Sequence, residues 1–113
     1  MKLKFKLSLN EFSELVNVIG SLPYKEMEVT EFEFINLKEF FVWGINKINS
    51  FKLRNAKMKQ VSIDINHFWA LLSLRGRFFE TVSSYTKSII DLMEIEARPQ
   101  IGTAMFKHLN WLT

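Results

Sequence analysis

Cysteine is missing altogether from the 113 residues. Its absence excludes disulfides, thiolate nucleophiles and cysteine-ligated zinc. Histidine is scarce: His67 and His108 stand 41 residues apart. A hydrolytic zinc centre needs three protein ligands, often with two histidines close together, so no metal is expected. Glycine and proline are sparse, and neither Gly20 nor Gly76 opens a loop that cradles phosphate. No stretch approaches the roughly 18 uninterrupted apolar residues of a membrane span. The opening "MKLKFKLSLNEF" interleaves lysine with apolar residues, unlike the continuous apolar core of a signal peptide. These absences lead to the expectation of a soluble, cytoplasmic protein without a cofactor.

What is present is apolar and aromatic. Hydrophobic residues make up 48% of the chain, with eleven Phe and three Trp. A single domain of this length buries roughly 65% of the surface its unfolded chain exposes. Much of this apolar surface therefore belongs in a core, and some is left over. Net charge +3 and a pI near 9.3 permit an anionic partner without requiring one.

The chain also says something twice. Shifting it by 56 residues sets "KLSLNEFSEL" against "SIDINHFWAL" in character. Phe5 falls on Val61, Leu7 on Ile63, Leu9 on Ile65, Phe12 on Phe68 and Leu15 on Leu71. A tandem duplication of two βαα units, about 1–56 and 57–113, gives such a pattern. So does any strand that leads into an amphipathic helix.

Local physics explains the repeated phrase. Leu3, Phe5 and Leu7 alternate with Lys2, Lys4 and Lys6, the period of a half-buried strand. From Leu9 onward the apolar spacing turns helical, through Phe12, Leu15, Val16 and Ile19. Ser8 stands at the switch as N-cap, Glu11 completes a capping box, and Leu7 with Phe12 forms a hydrophobic staple. Asp64 takes the cap position in the second unit, with His67 where the glutamate was. Thr30 with Glu33 predicts another box, with Val29 and Phe34 as staple, and Thr86 is its counterpart. The following helices are expected over about 30–49 and 86–97. Gly76 ends or bends the second-unit helix, Pro99 and Gly102 mark a stop, and Thr103 caps a short last helix.

The resulting expectation is a single α+β domain of order β-α-α-β-α-α, pseudo-duplicated, with a short C-terminal helix. A two-stranded sheet packs on the helices, or is extended by dimerisation, since two strands alone are marginal in water. Parallel and antiparallel pairing both fit.

Candidate chemistry is thin. Glu26, Glu28, Glu31 and Glu33 straddle a helix start, where the helix dipole favours negative charge. Ser83 and Ser84 have no nearby base. No enzymatic activity is expected. Two interaction surfaces remain. Lys2, Lys4 and Lys6 share one strand face about 6.6 Å apart, and Arg54, Lys57 and Lys59 follow in the linker. Together they form a candidate phosphate-binding face, although it lacks the interleaved aromatics that stack bases. The stretch "EFFVWGINKI" is apolar nearly all round its helix, so it must be buried on more than one side or face a partner. Phe41, Trp43, Phe106 and Trp111 are the candidate contact residues, because aromatics are enriched in interface cores. The expected function is a small non-enzymatic adaptor, inhibitor or assembly accessory that binds a protein partner or itself as a homodimer. The alternative is a nucleic-acid-associated protein working through the basic face.

Overall fold

A computed structural model describes residues 1–53 and 60–102. Their order is β1 (Lys2–Phe5), α1 (Leu9–Ser21), a 3-10 turn (Tyr24–Glu26), α2 (Glu31–Leu53), β2 (Val61–Asp64), α3 (Ile65–Arg75) and α4 (Ser84–Ile101). The domain is α+β. Arg54, Lys57, Lys59, Phe106, Trp111 and the expected last helix lie outside the described residues.

The two strands pair antiparallel, with Leu3 opposite Ile63 and Phe5 opposite Val61. This settles the pairing that the sequence left open. Alternation sends Leu3, Phe5, Val61 and Ile63 into the core and leaves Lys2 and Lys4 in solvent. Phe5 and Val61, equated by the 56-residue offset, face one another at one end of the register. Helices α1 and α3 begin at Leu9 and Ile65, the same offset apart.

Capping chemistry sets the helix starts. Ser8 Oγ accepts the Glu11 N–H at 3.1 Å, and Glu11 Oε1 accepts the Ser8 N–H at 2.9 Å. Thr30 and Glu33 make the same reciprocal pair at 3.1 and 2.8 Å. At the start of α3 Asp64 accepts from the Asn66 N–H, and His67 turns away to Glu39 at 3.2 Å. The box is absent there because the third position lacks a carboxylate.

Three expectations need correction. The cap of α4 is Ser83, which accepts the Thr86 N–H at 3.2 Å. Thr86 sits three residues into the motif, where its hydroxyl lies 3.1 Å from that of Ser83 while the residue is wholly buried. The helix then runs through Pro99 to Ile101. Proline removes one backbone donor and crowds the preceding turn, but the end of the helix is held by Gln100 and closed at Gly102, whose φ of 94° suits only glycine. Helix α2 is longer than expected and ends at Leu53.

The core gathers around α2. On one side Phe40 meets the Phe12 ring of α1 at 5.9 Å, and on another the His67 ring of α3 at 6.1 Å. Burial on two flanks is the solution that the all-round apolar stretch requires. Gly44 makes the α1–α2 approach close: a Cβ there would stand 2.5 Å from Val16 Cγ2. Helix α4 packs on α3 and α1 and flanks β1.

Candidate interaction surface

Strand β1 is sealed along its outer edge by side chains of α4. The Lys4 N–H donates to Gln100 Oε1 at 2.7 Å, and Gln100 Nε2 donates to the Lys4 carbonyl at 2.7 Å. One amide thus stands in for the peptide group of a third strand. Four residues earlier, Glu96 Oε2 accepts the Lys6 N–H at 2.9 Å. Two residues up the strand match four down the helix, roughly 6.7 Å against 6 Å. The helix therefore runs antiparallel beside the strand.

This contact fixes how α4 is rotated. At about 100° per residue, Thr86, Ile89, Ile90, Met93 and Ala97 form the buried face. Glu96 and Gln100 come next and face the strand edge. Turning further in the same sense reaches Tyr85, Leu92 and Ile95, which are 51%, 54% and 63% exposed. This stripe therefore looks out on the side of the sheet where Lys2, Lys4 and Lys6 project. All three lysines are exposed, and none makes an ion pair among the described residues. Lys4 stands level with Gln100 and Lys6 with Glu96, so the ammonium row meets this apolar ridge at its Ile95 end, and Tyr85 lies about 16 Å further along the helix.

The aromatic residues singled out from the sequence sit elsewhere. Trp43 is half-buried, its ring edge-on to Phe12 at 5.6 Å and tilted against Phe40 at 5.7 Å. Phe41 is half-buried over Gly20, where any side chain would collide with its ring. Both rings pack against the core. On α2 the exposed large apolar residues are Phe32, Phe34, Ile35, Val42 and, at its last position, Leu53. The exposed Lys38 and Glu39 interrupt them, and Phe34 lies edge-on to Tyr24 at 5.5 Å. The α4 stripe was legible as a second period-3.6 row beside the first, but "EFFVWGINKI" is the denser signal. Nothing local marks Gln100 as a strand clasp.

Two ion clusters hold the helices together. Burial pushes the Glu33 carboxyl up, but hydrogen bonds from Thr30, Ser73 and Arg77 outweigh it and hold it below the ordinary 4.5. Arg77 also reaches the Glu28 carbonyl at 2.8 Å, so it ties the α3–α4 connection to the start of α2. Arg75 bonds both Asp91, at 2.9 Å, and Glu94 on α4. Burial raises the Glu94 carboxyl, whereas Arg75 and Arg98 lower it further, for a net downward shift. These carboxylates are satisfied structurally by arginines and caps. Among the described residues no three His, Asp or Glu side chains gather as a metal site would require. No described helix is long and apolar enough to cross a membrane. Comparison of the chain with protein-family models, curated proteins and solved structures finds no match.

Proposed function

We propose that this protein is a non-enzymatic interaction module that docks an acidic amphipathic segment of a protein partner on the outer surface of α4 and β1. The observation that carries this reading is the exposed stripe of Tyr85, Leu92 and Ile95, whose Ile95 end is level with Lys6 and leads into the Lys4 and Lys2 side of the sheet. An apolar ridge alone would take any greasy surface. A lysine border at one end selects one whose flank is negative there, and charge of this kind contributes to partner choice and encounter rate more than to raw affinity. Phe41 and Trp43 pack on the α1 side of the core, against Gly20 and against Phe12 and Phe40, and are not part of this ridge. Phosphate-backbone binding by the same lysines is the second reading, favoured by their lack of ion-pair partners among the described residues.

A labelled helical peptide with leucines on one face and glutamates along the flank tests the first reading, with a single-stranded oligonucleotide and anionic vesicles as competitors. Binding of the peptide is expected to fall at least about tenfold, or 1.4 kcal/mol, in both Leu92→Asp and Lys4→Glu. Both sites are exposed, so circular dichroism should remain unchanged. Peptide binding indifferent to Leu92→Asp overturns the reading, as does preferential capture by vesicles. Oligonucleotide binding lost in Lys4→Glu but kept in Leu92→Asp, with a log–log salt slope near −0.7 per phosphate, establishes the second.

A further inference from the structure

The two edges of the sheet are treated differently. Lys4 commits both its N–H and its C=O to Gln100, so neither reaches Ser62, its partner in the register. Lys4–Ser62 is therefore the non-hydrogen-bonded kind of antiparallel pair, in which both peptide groups point away from the partner strand. The Ile65 N–H, which donates to the Met1 carbonyl at 3.0 Å, continues the same alternation. The N–H and C=O of Ser62 consequently face the outer side of β2, as does the N–H of Asp64. Among the described residues nothing hydrogen-bonds to these Ser62 groups, and β1 and α3 are the elements packed on β2.

Strand edges that must stay single usually carry lysine, proline or a bulge. The lysines here lie on β1, which is already sealed. Strand β2 reads Val-Ser-Ile-Asp: it is short and ends in a carboxylate, but it carries no lysine, proline or bulge.

We propose that the outer edge of β2 is a homodimer interface, on which a second copy of the chain pairs its own β2 antiparallel to make a continuous four-stranded sheet. A twofold axis at Ser62 is self-complementary. Ser62 of each copy exchanges both backbone bonds with its equivalent, and the Asp64 N–H of each meets the Gln60 carbonyl of the other. The two Asp64 carboxylates end up at opposite ends of the pairing, roughly 13 Å apart along the strands, so the pairing brings no like charges together. Gln60 is exposed, and Val61 and Ile63 stay on the core side. The interface does not use the α4 ridge, so the two proposals stand or fall separately.

Sedimentation equilibrium of the full chain, run across a concentration series up to about 1 mM, is expected to show mass rising toward twice the 13.4 kDa of one chain. Amide exchange at Ser62 and Asp64 is expected to slow over the same range, while exchange at Lys4 stays constant. Ser62→Pro removes an outward donor that β1 does not use and should weaken association at least about tenfold. Ser62→Lys opposes two ammonium groups across the axis and should do the same while keeping the native circular dichroism. A chain that stays monomeric throughout overturns the proposal. So does a dimer whose mass is unchanged in the folded variants. If neither variant folds, the exchange series on the wild type decides, and amides at Ser62 and Asp64 indifferent to concentration overturn it.

Discussion

Glu33 shows how much a single side chain is asked to do. Its carboxylate closes the Thr30 cap at 2.8 Å and takes Arg77 at 2.5 Å, although the residue is only 5% exposed. Burial alone would favour the neutral acid, and the hydrogen-bonded partners reverse that preference. A carboxyl held below 4.5 in the fold gives stability that is complete above that value and is lost as pH falls through the folded-state value. Glu94 adds to the same window from α4. The urea midpoint should therefore be level from pH 7 down to about 5 and decline below about 4.5. Glu33→Gln preserves the shape but removes the charge. It should cost about 1 kcal/mol at pH 7, because half-exposed Arg77 weakens the pair, and it should flatten the acid decline. Equal acid slopes in variant and wild type would place the titrating groups elsewhere.

At the scale of elements, the α1–α2 contact depends on what Gly44 lacks. Alanine would gain about 1 kcal/mol of helix propensity. Against this, its Cβ would stand 2.5 Å from Val16 Cγ2, on a fully buried β-branched side chain with little rotamer freedom. Overpacking costs about 1–3 kcal/mol, so the clash wins and Gly44→Ala should destabilise by about 1 kcal/mol net. Val16→Ala in the same chain empties the contested space, so the double variant should be more stable than the sum of the single effects. Additive effects would show that the helices simply slide apart.

The elements also show which features of the fold are written locally. The boxes at Ser8–Glu11 and Thr30–Glu33 span four residues each, and the structure has both. Choosing between Ser83 and Thr86 was harder, since both are hydroxyls three positions apart. Burial decides it: Thr86 can be enclosed within α4 only if Ser83 takes the cap. Strand pairing, the two-sided burial of α2 and the Gln100 clasp join residues far apart in the chain, and no short window records them. The exposed ridge on α4 was present in the spacing of Tyr85, Leu92 and Ile95. An apolar row marks a helix face without saying what covers it.

At the scale of the whole molecule, the clasp links residues 96 positions apart and joins the first strand to the last described helix. Replacing Glu96 and Gln100 together with alanine frees the backbone groups of Lys4 and Lys6. These bonds lie at the surface, so the loss should be about 1–2 kcal/mol, with faster amide exchange at Lys4 as the direct readout. Unchanged exchange at Lys4 would mean that the amide clasp does not protect the strand in solution.

On the proposed β2 pairing, the same clasp governs what happens after two copies meet. An object with one adhesive border is finished once that border is used, and the count halts at two. With a second border bare, each added copy would present a fresh end, and association would run on into filaments. The doubly substituted chain should therefore scatter light progressively where the parent reaches a plateau. A glutamine near the end of the last described helix would then be the feature that keeps a sticky sheet finite.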